Sequence, residues 1–174
     1  LYFTGVDPWW GASTWLNAAT TDSWAHWTYE LIADKLSDAT TYTIKARATD
    51  VATNITLLAN YGSNTFTYDA SAPAPPTGGF EIKSPTTNPG TNSTPTLTAK
   101  GVQIGDEIKI YSTDDCSGTA KGTATATLTD VDILLTTLSP DGNFTFYYTS
   151  KDSLDNITAC ASTGITYVLD TQAP

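Results

Sequence analysis

Residues 42–56 have the sequence YTIKARATDVATNIT, and the pattern returns as FTFYYTSKDSLDNIT at residues 144–158, an offset of 102 positions. Aromatic, aliphatic, Asp, Asn and Thr positions coincide between the two copies. Two flanking matches extend the repeat: residues 36–37 match 138–139 at the same offset, and residues 66–73 match 167–174 at an offset of 101. A period of about 100 residues is too long for a solenoid and is the size of one β-sandwich domain.

The second copy alternates apolar and polar residues with a period of two, which is the pattern of half-buried β-strands. Turn residues separate the alternating segments, as at Asn88-Pro89-Gly90 and at Ser139-Pro140-Asp141-Gly142. The pattern predicts about seven short strands between residues 78 and 170, arranged as an antiparallel sandwich. The side chains predicted to meet in one core are those of Leu97, Ile108, Ile133, Phe144 and Phe146.

A proline-rich stretch, Ala72-Pro73-Ala74-Pro75-Pro76, marks the predicted boundary between two modules, because proline stiffens a linker and removes main-chain donors. Residues 73–174 are predicted to form a complete module. Residues 1–72 are predicted to form the C-terminal part of a similar module with a Trp-rich loop. We therefore expect polypeptide outside residues 1–174 to complete the first module, either within a longer chain or as a strand from another chain.

Composition and charge restrict the classes of partner. Only 26 of the 174 residues are charged, the formal net charge is −10, and the sequence pI is about 4.1. This balance argues against nucleic acid and against anionic membrane surfaces as partners. No apolar run approaches the ~20 residues of a membrane-spanning helix, so we expect no membrane insertion.

The chain resembles bacterial immunoglobulin-like (Big-type) tandem repeats, which occur in large secreted surface proteins and adhesins. The resemblance rests on YTIKARATD at residues 42–50, on the Asn that follows, and on FTYDASAP at residues 66–73. It implies an all-β fold of tandem immunoglobulin-like β-sandwiches, the first one incomplete. It also implies an extracellular location at the bacterial cell surface. The implied partners are neighbouring Ig-like modules or copies of the chain itself.

Cys116 and Cys160 are the two cysteines of the chain, 44 positions apart in the second copy. Such a pair in an acidic, Thr-rich chain suggests a disulfide and an oxidising compartment. Closing a loop of this length stabilises a domain by about 3–4 kcal/mol. The alternative is two unpaired small core residues, and a metal site would need more soft ligands than two.

All five tryptophans lie between residues 9 and 27. Trp9 and Trp10 follow Asp7-Pro8 in a predicted loop, where exposed rings can stack on sugars or bind a protein surface. Trp15 and Trp27 could also belong to such a surface, but the expected role of these two is to lie on strands and fill the core. Trp9 and Trp10 are therefore the candidate patch for a cell-surface glycan or protein.

Acidic and amide residues recur in the turn between the last two strands of each copy and after the final strand. Several adhesin repeats use calcium to stiffen their junctions, and Ca²⁺ takes six to eight oxygen ligands. The candidate ligands are Asp50, Asn54, Asp69, Asp152, Asp155, Asn156 and Asp170. The alternative is that these side chains cap tight turns through hydrogen bonds to the main chain. No other cofactor is predicted.

The sequence contains few candidate catalytic residues. His26 is the single histidine and has no nucleophile motif around it, and Glu30, Glu81 and Glu107 are scattered along the chain. The sequence therefore predicts a non-enzymatic structural or adhesive segment of a bacterial surface or filamentous protein. Two alternatives remain open: a carbohydrate-binding module that uses Trp9 and Trp10, and an accessory domain of a secreted hydrolase.

Overall fold

A computed structural model describes residues 2–4, 14–15, 28, 30, 36–49, 52–55, 57 and 62–172. The chain divides into two compact units, Leu1–Ala70 and Ser71–Pro174. The described elements are all β-strands, and they form several antiparallel sheets. Within these ranges, no helix is long and apolar enough to cross a membrane.

The first unit contains one four-stranded antiparallel sheet within the described residues, in the order β2-β1-β3-β4. Its strands are β1 (Tyr2–Thr4), β2 (Thr14–Trp15), β3 (Thr40–Ala46) and β4 (Gly62–Tyr68). Tyr42 of β3 is buried and stacks on Phe66 of β4, with ring centroids 5.6 Å apart. Because Tyr42 and Phe66 are also cross-strand partners, this stack stabilises the pairing of the two strands.

The second unit contains seven strands between residues 79 and 169, as the sequence predicts. The strands are β5 (Gly79–Ser84), β6 (Thr96–Lys100), β7 (Glu107–Tyr111), β8 (Gly122–Thr125), β9 (Asp130–Leu134), β10 (Gly142–Lys151) and β11 (Ala161–Leu169). One sheet has the order β5-β6-β9 and the other the order β11-β10-β7-β8. All strand pairs in both sheets are antiparallel.

Side chains from both sheets of the second unit meet in one hydrophobic core, which is consistent with a β-sandwich. Leu97, Ile108, Ile133 and Phe146 are fully buried in this core, and the half-buried Phe144 packs against it. The five predicted core residues and the predicted strand register are therefore confirmed. A shift of one residue in any of these strands would have turned its apolar side chains to solvent.

The internal repeat found in the sequence is also present in the strand pairing of the two units. Tyr42 pairs with Phe66 in the first unit, and Phe144 pairs with Tyr167 in the second, at the offsets of 102 and 101 found in the sequence. The turn that follows β3 and the turn that follows β10 also match. The bridge Thr49↔Ile55 corresponds to Lys151↔Ile157, and the left-handed Thr53 (φ 72°) corresponds to Asp155 (φ 67°).

Candidate functional site

Cys116 and Cys160 form the predicted disulfide, with their Cα atoms 5.5 Å apart. Cys116 lies in the turn after β7, where its N–H donates to Thr113 O (3.1 Å), and Cys160 immediately precedes β11. Because β10 lies between β7 and β11 in the sheet, the disulfide crosses over β10 and ties two non-adjacent strands of one sheet. This differs from antibody domains, whose disulfide joins the two sheets.

The turn after β10 is organised by the carboxylate of Asp152. The N–H groups of Leu154 and Asn156 donate to Asp152 Oδ1 at 2.8 and 2.9 Å, and Asn156 Nδ2 donates to Oδ2 at 2.9 Å. The side-chain amide of Asn156, followed by these N–H groups, holds the pKa of Asp152 below its ordinary value. The carboxylate of Asp152 thus acts as a turn anchor, which is the alternative that the sequence left open for it.

The structure brings together part of the predicted calcium set. Asp152, Asp155 and Asn156 share one turn, and Asp155 Oδ1 lies 2.8 Å from Lys151 Nζ, which raises the pKa of that lysine. Asp170 follows the far end of β11, about 30 Å along the strand from this turn. In the part of the chain that the structure describes, no group of three or more His, Cys, Asp or Glu residues is placed to hold a metal ion.

The first-unit members of the calcium set are distributed in the same way. Asn54 lies in the turn that matches the Asp152 turn, and Asp69 directly follows β4, as Asp170 follows β11. Asp50 lies outside the described residues. Calcium binding by this set stays a prediction.

Asp106 is a buried acidic residue that the sequence analysis missed. It lies immediately before β7, and burial, with the charge of Asp152 as a second cause, raises the pKa of its carboxyl group. Its main chain is held from both sides: Ala126 N–H donates to Asp106 O (2.8 Å), and Asp106 N–H donates to Gln103 O (3.2 Å). The only sequence signal at this point is the Ile104-Gly105-Asp106 turn, which does not report burial.

A second feature that the sequence analysis missed is a carboxylate clamp that occurs in both units. Asp38 Oδ1 accepts the N–H of Ala70 (2.6 Å), and Asp141 Oδ2 accepts the N–H of Thr171 (2.9 Å). Ala70 and Thr171 are equivalent at an offset of 101, but the two aspartates are 103 positions apart. An alignment of identical residues therefore does not match them. Each clamp holds the residue that lies two positions beyond the last strand of its unit.

Two of the glutamates considered for catalysis form ion pairs on strand surfaces. Lys100 Nζ lies 2.7 Å from Glu81 Oε2, and Lys109 Nζ lies 3.0 Å from Glu107 Oε1. Solvent screens partly exposed pairs of this kind, so they contribute little to stability. Glu81 is exposed, whereas Glu107 is half-buried with its Oε1 atom removed from solvent.

The candidate ligand patch, Trp9 and Trp10, lies outside the described residues, as does His26. The predicted sugar-stacking surface therefore stays a prediction. Neither a scan against protein-family models nor a search of curated proteins found a match to this chain.

Proposed function

We propose that this chain is a non-enzymatic extracellular structural segment, made of tandem immunoglobulin-like β-sandwiches, from a bacterial surface or filamentous protein. Its role is mechanical: compact modules joined by a short proline-rich linker hold a distal part of the protein away from the cell or build a fibre. Neighbouring modules or further copies of the chain are its partners.

The observation that carries this proposal is the recurrence of the same construction in both units. The strand pair, the turn that follows its first strand and the carboxylate clamp all return at offsets of 101 to 103 residues. What recurs is the framework that holds a module together, as in proteins built by repetition of one structural unit.

Strand arrangement supports the immunoglobulin-like part of the proposal. Seven antiparallel strands divide three and four between two sheets of about 100 residues in total, the size of such a sandwich. In the first unit, the hydroxyl of the buried Tyr42 accepts the N–H of Ser37, five residues upstream (2.6 Å). A tyrosine that bonds back to the main chain in this way is a hallmark of immunoglobulin-like domains.

The disulfide supports the extracellular part of the proposal. Both cysteines of the chain are paired with each other, and such bonds persist in oxidising compartments. The net charge of −10 keeps like modules soluble at high local concentration, as a surface array requires.

An antibody raised against this chain tests the location. It is applied to intact cells of the source organism, with and without protease treatment of the cell surface. We expect the antibody to detect the protein on intact cells or in the medium. We also expect that thiol alkylation in denaturant, without a reductant, leaves Cys116 and Cys160 unlabelled, because they are oxidised. Detection only after lysis, with both thiols alkylated, would contradict the proposal. A known cytoplasmic protein is the control. If it is labelled to the same extent before and after lysis, the cells are leaky.

A further inference from the structure

The outer edge of β11 is covered by the segment that follows β5. Asn88 places its side-chain amide on the strand, where Nδ2 donates to Thr166 O (2.8 Å) and Oδ1 accepts the N–H of Val168 (2.8 Å). Gly90 continues the contact: its N–H donates to Val168 O (3.0 Å), and its carbonyl accepts the N–H of Asp170 (3.1 Å). The bridge between Gly90 and Leu169 is parallel. Four hydrogen bonds thus satisfy this edge.

The repeat identifies the equivalent edge in the first unit. At the offset of 101, Thr166 corresponds to Thr65 and Val168 to Thr67, both in β4, which is an edge strand of its sheet within the described residues. Thr41 and Thr67 are cross-strand partners with hydroxyls 2.9 Å apart, and Thr145 and Thr166 are partners with hydroxyls 3.3 Å apart. Such close contacts are typical of non-hydrogen-bonded pairs, whose main-chain groups point away from each other.

The main-chain groups of Thr65 and Thr67 therefore point outward from β4. Thr65 N–H donates to the side chain of its own neighbour, Asn64 (2.9 Å), and no strand or side chain from the rest of the described part of the chain bonds to the outer edge at these two residues. Gly62–Thr65 and Thr67 are exposed. An exposed strand edge of this kind is a template for an added strand.

We propose that the outer edge of β4 binds an extended segment from a further copy of this repeat, one that carries the sequence Asn-Pro-Gly found at residues 88–90. The segment runs parallel to β4. Its Asn side chain bonds to the carbonyl of Thr65 and the N–H of Thr67, and its Gly N–H bonds to the carbonyl of Thr67. This inference rests on the internal repeat and goes beyond the proposed extracellular role, so either can fail without the other.

The glycine of that segment explains why the occupant is specific. A Cβ atom on Gly90 would lie 2.8 Å from Pro85 Cγ and 2.9 Å from Thr87 O, which are contacts within the segment itself. It would also lie 2.7 Å from the Tyr167 hydroxyl, a position that Phe66 takes in the first unit. Substitution of this glycine would therefore distort the segment, and a generic extended peptide would not reproduce the contact.

A peptide with the sequence of residues 84–92, SPTTNPGTN, tests the proposal when it is added with a fluorescent label to the full chain. We expect saturable binding with a Kd at or below about 1 mM by fluorescence anisotropy. The Thr67→Pro variant removes the outward N–H at an edge position that tolerates proline, and should weaken binding at least tenfold. Thr67→Ala keeps the main chain and should bind as the unmodified chain does. A peptide with Asn88→Ala and Gly90→Val should not bind.

A second readout covers the case in which Thr67→Pro disturbs the fold. In the unmodified chain, the peptide should slow amide hydrogen exchange at Thr67 and leave exchange at Val168 unchanged. The proposal is overturned if the peptide does not bind, if it binds equally to Thr67→Pro and Thr67→Ala, or if it protects Val168 instead of Thr67.

Discussion

Two tyrosine hydroxyls perform one structural task at different positions of the repeat. In the first unit, Tyr42 accepts the N–H of Ser37 (2.6 Å). In the second unit Phe144 occupies the position of Tyr42, and its cross-strand partner Tyr167 carries the hydroxyl, which donates to Asn92 O (2.8 Å). Each facing aromatic pair thus has one hydroxyl that ties its strand to a preceding loop, although the hydroxyl has moved to the opposite strand.

Removal of either hydroxyl should therefore destabilise its unit. We expect Tyr42→Phe and Tyr167→Phe each to lower the free energy of unfolding by about 1 kcal/mol, because a main-chain group at a part-buried site loses its partner. Urea titration followed by fluorescence measures the change. Tyr111→Phe, on the half-buried face of β7, is the matched control and should have little effect. Equal stability of all three variants would show that these hydrogen bonds do not matter.

Asp106 sets a pH dependence whose sign follows from the raised pKa of its carboxyl group. A group whose pKa is raised in the folded state binds its proton more tightly there, so its ionisation costs stability above that pKa. Asp106→Asn should therefore raise the free energy of unfolding at pH 7. The gain should shrink as pH falls through the raised pKa toward the ordinary value of 3.8 and vanish below it. Urea titrations at pH 7 and pH 3 measure the difference, and a variant less stable at pH 7 would contradict this account.

At the scale of elements, alternation within each strand determines what is buried. β9 alternates strictly, with Val131 and Ile133 buried and Asp130, Asp132 and Leu134 exposed, and β10 buries Phe146, Tyr148 and Ser150. Phe80 of the opposite sheet packs on Tyr148, with ring centroids 4.7 Å apart, so the two sheets meet through large side chains. The core is thus formed by every second side chain along each strand and does not depend on one residue alone.

A pair of variants in β10 tests this register. Phe146→Ala should lower the free energy of unfolding by about 3–5 kcal/mol, because it empties a fully buried aromatic site. Thr145→Ala, one position away on the exposed face, should change stability by about 0.5 kcal/mol or less. Chemical unfolding of both variants at one pH makes the comparison. Similar losses at the two positions would mean that β10 is registered differently.

The sequence predicts features that depend on alternation within a strand, and it misses features that depend on contacts between distant segments. The strands of the second unit, the shared core of Leu97, Ile108 and Phe146, and the cysteine pair follow from local alternation and residue counts. The burial of Asp106 and the cover that Asn88 gives to β11 do not, because each depends on contacts between segments that only the folded chain brings together. Asp152 had two interpretations in the sequence: its hydrogen bonds show that it anchors a turn, while its role as a calcium ligand stays a prediction.

At the scale of the whole molecule, the chain is a pair of units in which the second is closed by several independent ties. The disulfide crosses β10, Asn88 and Gly90 cover β11, and Asp141 holds Thr171 just beyond that strand. These ties converge on the C-terminal strands, through which tension applied to the chain would enter the module. A disulfide placed there also excludes the 44 positions between its cysteines from extension.

Single-molecule force spectroscopy of the chain held at its two ends is the most direct test of the central claim, that this is a mechanical module. We predict a distinct force peak for unfolding of the second unit. We also predict that reduction of Cys116–Cys160 lengthens the extension released by that peak by about 150 Å, since 44 residues span roughly 3.3–3.6 Å each when extended. Extension without a resolvable peak, or a released length unchanged by reduction, would contradict the account.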